Sequence, residues 1–270
     1  MNICFVGGGN MATALIGGLL GQGFLASNIS VVEINAENRL RLQNDFSVHA
    51  VENLDVGMAG SDVIVLAVKP QQLREVALQL APQLTGQLLI SIAAGIRAVD
   101  LARWADSQTI VRAMPNTPAL VQSGMTGLYA MPAVSADQRE AAQTILAAVG
   151  QILWLQDEAM LDAVTAISGS GPAYVFYLIE ALQQAAVSLG FNHEDARRLS
   201  VATFLGGSKL ADKSAEDVAV LRARVTSKNG TTERALLSMA DNKVAEHIGQ
   251  ATLAALARSR EMGVELGLAA

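Results

Sequence analysis

The chain has 270 residues, of which 51% are hydrophobic, 16% charged and only 4% aromatic, with a formal net charge of −6. Such a hydrophobic, charge-poor chain is not disordered, and its acidic balance argues against a nucleic-acid partner. The single Cys4 forms no intramolecular disulfide and no Cys/His zinc spacing exists, which points to a reducing, cytoplasmic setting.

Charge is missing from four stretches: Met1–Val32, Val76–Ile96, Ala113–Ala136 and Ala163–Ile179. The first lacks a basic leader, and Gly7, Gly8, Gly9, Gly17, Gly18, Gly21 and Gly23 interrupt it well before the roughly 20 apolar residues of a membrane span. Ala163–Ile179 is shorter still and contains Ser168-Gly169-Ser170-Gly171-Pro172. The expectation is therefore a soluble protein.

In chain order, Ile3–Val6, Ile29–Val32, Asp62–Val68, Leu88–Ala93 and Thr109–Ala113 read as strands, being short and rich in β-branched residues. Met11–Leu20, Ala36–Gln43 and Gln71–Leu80 read as the helices between them. Strands apolar on both faces belong inside a parallel sheet covered by helices, which predicts a doubly wound α/β domain. Gly124–Met131 and Gln151–Leu155 read as later strands, with Ala136–Val149 a helix between them. Beyond Asp157 the apolar spacing becomes helical, predicting helices at Pro172–Leu189, Asn192–Leu210, Thr231–Met239 and Lys243–Leu266. Asn192 has the place of an N-cap, with Asp195 in the first turn. The expected division is residues 1–157, a dinucleotide-binding domain, and residues 158–270, an all-helical domain for substrate binding and dimerisation.

The first strand ends in Gly7-Gly8-Gly9-Asn10-Met11-Ala12, a G-x-G-x-x-A pattern that opens a helix. The first glycine permits the turn, the second admits a pyrophosphate to the backbone, and Ala12 lets helix and strand approach closely, as in Rossmann-like domains. Amides at the helix N-terminus then face the phosphates. Glu33 ends the second strand, where a carboxylate accepts hydrogen bonds from the adenosine ribose and repels a 2′-phosphate. Arg39 and Arg41 lie near enough in sequence to rescue such a phosphate, and a solvated strand-end Glu33 is the plainer alternative. Ala67-Val68-Lys69-Pro70 and Ser91-Ile92-Ala93-Ala94-Gly95 fall on the carboxyl edge of the sheet, where ligands of this fold bind. Arg112-Ala113-Met114-Pro115-Asn116-Thr117-Pro118 is a loop stiffened by two prolines. His49, His193 and His247 lie outside every motif, and Cys4 reads as a small hydrophobe in the first strand.

Ala67–Pro70, Ser91–Gly95, Arg112–Ala119, Thr165–Tyr174 and Val225–Thr232 occur in the order and spacing of pyrroline-5-carboxylate reductases, which the whole chain resembles. The resemblance implies reduction of 1-pyrroline-5-carboxylate to L-proline with NADPH or NADH, with Gly7 to Ala12, Glu33, Ala67 to Pro70 and Ala94 at the cofactor. It implies Glu158, Ser227, Gly230, Thr231 and Thr232 at the substrate, with the Thr232 hydroxyl on the ring nitrogen in the catalytic role. It also implies a homodimer interleaved through the helical domains, or rings of such dimers, with the active site near the subunit boundary. One departure stands out: Ser227-Lys228-Asn229-Gly230-Thr231-Thr232 replaces the family's usual Ser-Pro-Gly-Gly-Thr-Thr. Asn229 can still take a left-handed conformation. Taken alone, Ser227–Thr232 reads better as an ordinary helix cap than as a substrate loop. The rival readings are a β-hydroxyacid dehydrogenase, disfavoured because Pro172–Leu189 contains no lysine, and a non-catalytic dinucleotide sensor.

Overall fold

The computed structural model describes residues Met1–Leu268. Its first half alternates β1 (Ile3–Val6), α1 (Asn10–Gly21), β2 (Ile29–Val32), α2 (Ala36–Phe46), β3 (His49–Val51), α3 (Leu54–Met58) and β4 (Val63–Leu66). The sheet is completed through α4 (Pro70–Leu80), β5 (Leu88–Ser91), α5 (Ala98–Ala105), β6 (Ile110–Met114), β7 (Gly124–Ala130), α6 (Ala136–Ala147) and β8 (Gly150–Trp154). Strand order is β3-β2-β1-β4-β5-β6-β7-β8. The first six strands are parallel, in the order of a dinucleotide-binding doubly wound sheet.

Every residue of β1, β4 and β5 is buried, which explains why these strands carry no charge. Alternation then sorts them between two cores. Ile3, Phe5 and Val65 pack with α1 and α6, whereas Cys4, Ile64 and Leu66 pack with α4 and α5.

One pair in the otherwise parallel sheet is reversed, β7 running antiparallel to β6. The intervening link holds only a short 3-10 turn, Thr117–Val121, and a parallel return requires a longer crossover. The unexpected elements β3, α3 and α5 are short. The expected strands at Asp62–Val68 and Leu88–Ala93 are trimmed to β4 and β5, their ends being spent on loops at the carboxyl edge.

After β8 come α7 (Met160–Val164), a π-helical turn at Thr165–Gly169, α8 (Gly171–Ser188), α9 (His193–Lys213), α10 (Val218–Arg224), α11 (Thr231–Asp241) and α12 (Val244–Leu268). Packing divides the chain later than the loss of strands suggests: one compact unit runs to Ser170 and takes back the chain from Ala255, and the other is Gly171–Ala254. The reason is that α7 covers the sheet, with Leu161 fully buried and the side chains of Val164 and Leu161 against Gly127. The end of α12 likewise belongs to the first unit, where Met262 and Leu266 pack on Gly95 and the Ser259 hydroxyl donates to Asp162 at 2.7 Å.

The second unit, taken by itself, is helical. Asn192 caps α9 as expected, its side chain accepting from the Asp195 amide at 2.9 Å. α8 and α9 pack together, yet α8, α10 and α11 contain no buried residue. Phe176, Tyr177, Leu189 and Leu210 are each about two-thirds exposed or more, at 67%, 72%, 81% and 68%. Among the described residues no helix is long and apolar enough to cross a membrane.

The close approach of α1 to the end of the sheet gives the first prediction. A Cβ on Gly18 would collide with the Ala148 carbonyl oxygen and lie 2.9 Å from Val149. Gly18→Ala is expected to cost about 1–3 kcal/mol and lower Tm by several degrees in calorimetry. An unchanged Tm would contradict this packing.

Candidate active site

The turn from β1 into α1 sits beside the β1–β4 pair, at the switch point of the sheet, where the crevice of this fold opens. Gly7 has φ +101°, and a Cβ there would stand 2.7 Å from the Ala67 carbonyl oxygen. Only glycine fits both the conformation and the space. Gly9, the N-cap of α1, faces open space, so its backbone is accessible to a large ligand. The amides of the first turn of α1 have no intrahelical partner and carry the positive end of the helix dipole. Ala12 is fully buried beneath the turn, as the fingerprint requires.

A cleft of about 550 Å³ opens over this turn. Gly7, Gly8, Gly9, Glu33, Ala67, Val68 and Lys69 all line it. Asn10, Met11, Ala12, Pro70 and Ala94 do not: Met11 packs on the core, Pro70 begins α4, and Ala94 is half-buried in the loop after β5. The open backbone at Gly9, the unpaired amides and a cleft of this volume fit a dinucleotide, with pyrophosphate expected at α1 and adenosine toward β2.

Glu33 is not a solvated strand end. One carboxylate oxygen accepts from the Gly8 amide at 2.9 Å and the other from the Asn35 amide at 2.8 Å. The carboxylate therefore latches the glycine turn to the end of β2. Arg39 donates to the carbonyl oxygens of Glu33 and Ile34 at 2.7 and 2.8 Å and to the Glu52 carboxylate at 3.1 Å. Arg41 reaches the Gly8 carbonyl oxygen only at 3.5 Å.

Glu158 has a structural attachment. One of its oxygens accepts from the Ala98 amide at 2.7 Å and from the Arg112 guanidinium at 2.8 Å. It thereby ties the N-terminus of α5 to β6, and Arg112 is only 6% exposed. Asn116 plays a comparable part: its amide group donates to the Ser168 carbonyl and hydroxyl at 3.2 and 3.1 Å and its oxygen accepts from the Met125 amide at 2.9 Å. That tie holds the rigid loop after β6 to the π-helical turn. Arg112 and Asn116 stood inside the noted motif, but no local signal assigns their partners.

In the second unit, the loop before α11 keeps a defined shape despite its changed residues. Asn229 has φ 59° and its amide donates to Glu233 at 2.7 Å, while the Gly230 amide donates to the Ser227 carbonyl oxygen at 3.0 Å. A Cβ on Gly230 would strike the Ser227 hydroxyl. Gly230 is itself the N-cap of α11, so no side chain caps this helix. Ser227 and Thr231 are exposed and Thr232 is half-buried. Hydroxyls and first-turn amides are thus gathered at one helix start.

His49, His193 and His247 are exposed and lie outside the cleft. Cys4 is fully buried in β1, and burial pushes its thiol up to about 11 despite a hydrogen bond with Ser30.

A doubly wound sheet with a glycine turn and a dinucleotide-sized cleft at its switch point, followed by a helical unit, defines a dinucleotide-dependent oxidoreductase. Residues 158–262 match the family model described as pyrroline-5-carboxylate reductase dimerisation, and residues 2–95 match the one described as NADP oxidoreductase, coenzyme F420-dependent. A pyrroline-5-carboxylate reductase of Pseudomonas aeruginosa is 48% identical, covering 98% of each chain. A solved structure of the Coxiella burnetii enzyme is 39% identical with a TM-score of 0.93, covering 97% of this chain and 98% of that one. The Plasmodium falciparum enzyme, solved with NADP bound, is 30% identical with a TM-score of 0.86 over the same shares. The chain belongs to the pyrroline-5-carboxylate reductase family.

Cys4 supplies a clean check on the packing of β1, because it is the only cysteine. Its thiol is expected to resist an aromatic disulfide reagent at pH 8 in the native protein and to react within minutes in denaturant. Equal rates in both states would show that β1 is not buried.

Proposed function

We infer that this protein reduces 1-pyrroline-5-carboxylate to L-proline with NADH or NADPH, the last step of proline biosynthesis, in the cytoplasm. The observation that carries the reading is the loop before α11. It keeps a left-handed Asn229 and a cluster of hydroxyls and amides at the helix start although two of the family's usual residues are replaced.

The reduced nicotinamide supplies the hydride when bound. Gly9 and the first-turn amides of α1 hold the pyrophosphate, Ala67 to Lys69 form the neighbouring wall, and Ala94 lies in the loop after β5, where the nicotinamide half is expected. In the second unit, the Thr231 amide and the hydroxyls of Ser227 and Thr231 hold the substrate carboxylate, which a helix N-terminus stabilises without a buried arginine. The Thr232 hydroxyl meets the ring nitrogen. The substrate would be held with its C=N bond protonated, so that the hydride a bound reduced nicotinamide would supply to the ring carbon would leave the nitrogen as the secondary amine. No strong acid is required, so orientation of the two reactants supplies most of the acceleration. Glu158 holds α5 to β6 through one carboxylate oxygen, which accepts from Ala98 and Arg112, and offers the other to the substrate pocket.

A homodimer is part of this proposal. α8, α10 and α11 bury nothing by themselves, and a groove of about 610 Å³ in the second unit is lined by Leu236, Leu237, Met239, Val244 and Ile248. Exposed apolar surface on this scale marks an association site, and a second copy of the helical unit supplies a matching one. Sedimentation velocity at micromolar concentration should give a species of at least twice the chain mass. A monomer would leave these helices without cover and contradict the proposal.

Purified protein mixed with the imine and reduced nicotinamide should lose nicotinamide absorbance and form proline. Thr232→Ala is expected to lower kcat/KM about 10-fold to 100-fold, the worth of one hydrogen bond to a charged partner, with the dissociation constant of the cofactor unchanged. An unaltered kcat/KM would remove Thr232 from the site.

A further inference from the structure

Resting on the reading of the cleft as a nicotinamide site, the adenosine end of that cleft carries a second message. Four carboxylates, Glu33, Glu52, Asp55 and Glu75, line it against a single cation, Lys69. Neither Arg39 nor Arg41 lines it. Both guanidinium nitrogens of Arg39 that form hydrogen bonds are committed, one to the Glu33 and Ile34 carbonyl oxygens and the other to Glu52. Leaving them would strip the Glu52 carboxylate and two backbone acceptors of their partner.

Glu33 is held in place by the amides of Gly8 and Asn35, so it cannot swing away from a ligand without releasing the glycine turn. Each of its oxygens accepts one amide and retains a lone pair, enough to accept a ribose hydroxyl. A ribose 2′-phosphate carries about −1.5 to −2 charge and offers only acceptors, so it would meet a fixed carboxylate, with Arg39 committed elsewhere and Arg41 outside the cleft lining, its guanidinium 3.5 Å from the Gly8 carbonyl oxygen.

We propose that Glu33, latched to the glycine turn and with Arg39 committed to Glu52 and two backbone carbonyls, makes this chain select NADH over NADPH. The latch is what gives the selection force, because an unanchored glutamate would rotate aside at little cost.

The test is binding to the full-length protein without substrate, followed by reduced-nicotinamide fluorescence. NADH is expected to bind at least about tenfold more tightly than NADPH, as a like-charge contact near the surface requires. AMP should likewise displace NADH better than adenosine 2′,5′-bisphosphate. Glu33→Gln keeps an acceptor but removes the charge and is expected to shrink the gap by strengthening NADPH. NADPH binding as tightly as NADH in the unaltered protein would overturn the proposal. So would an unchanged ratio in Glu33→Gln, or NADPH binding that collapses in Arg41→Ala, since Arg41 would then be the rescuing cation. Failure to bind either cofactor would overturn the dinucleotide reading itself, whereas imine reduction with tighter NADPH binding would leave that reading standing and remove only the selection.

Discussion

The Ala67 carbonyl oxygen stands where any side chain on residue 7 would have to go, and much of the first unit follows from that approach of backbone to backbone. β1 and β4 pair directly, so the turn leaving β1 must pass over the end of β4 with nothing between them. Gly7 meets the demand, Gly9 leaves the next stretch of backbone open, and α1 begins with its amides aimed over the crevice. The same economy of side chains recurs where Gly150 lies against Gly124 at the β7–β8 pair. Such contacts bring dipoles close to a ligand, but they tolerate no added methyl group.

In the proposed reading an acidic chain binds anions without buried cations: neutral donors, the amides of α1 and of α11 with the hydroxyls beside the latter, take their place. Charges are reserved for holding elements together. Glu33 fastens the glycine turn, Arg112 with Glu158 fastens α5 to β6, and Asp100 is gripped by Arg97 and Arg103. The Asp100 carboxylate, 3% exposed, in turn holds the Arg97 guanidinium above its ordinary value. Arg103 also donates to the Gly267 carbonyl oxygen at 3.1 Å, fixing the end of α12 to α5.

The central strands, the helices beside them and the glycine turn were legible in the sequence, because full burial on both faces leaves an unbroken apolar run and a tight turn leaves glycine. The N-cap at Asn192 was legible for a similarly local reason. β3, α3 and α5 were not: each is short and stabilised by the sheet or its cover rather than by its own pattern. The reversal at β7 depends on the length of a link rather than on strand composition. The unit boundary was missed because α7 is helical in pattern yet packs on the sheet. At the site, the cofactor turn could be read from spacing, whereas the attachments of Glu33, Glu158 and Asn116 could not. Arg112 and Glu158 lie 46 residues apart and meet only because β6 and the chain entering α7 converge. Glu33 was legible as a carboxylate at the end of the second strand, but its latch to Gly8 and the commitment of Arg39 arise only in the folded chain.

The central claim is that this chain moves hydride from a reduced nicotinamide to the C=N carbon of a cyclic imino acid. Running the reaction with nicotinamide cofactor deuterated stereospecifically at C4, on each face in turn, and examining the proline by mass spectrometry and NMR tests it most directly. The account predicts a single deuterium at C5 of proline from one of the two labelled faces and none from the other. Proline formed without deuterium from either face, or no proline formed while the cofactor binds, would contradict it.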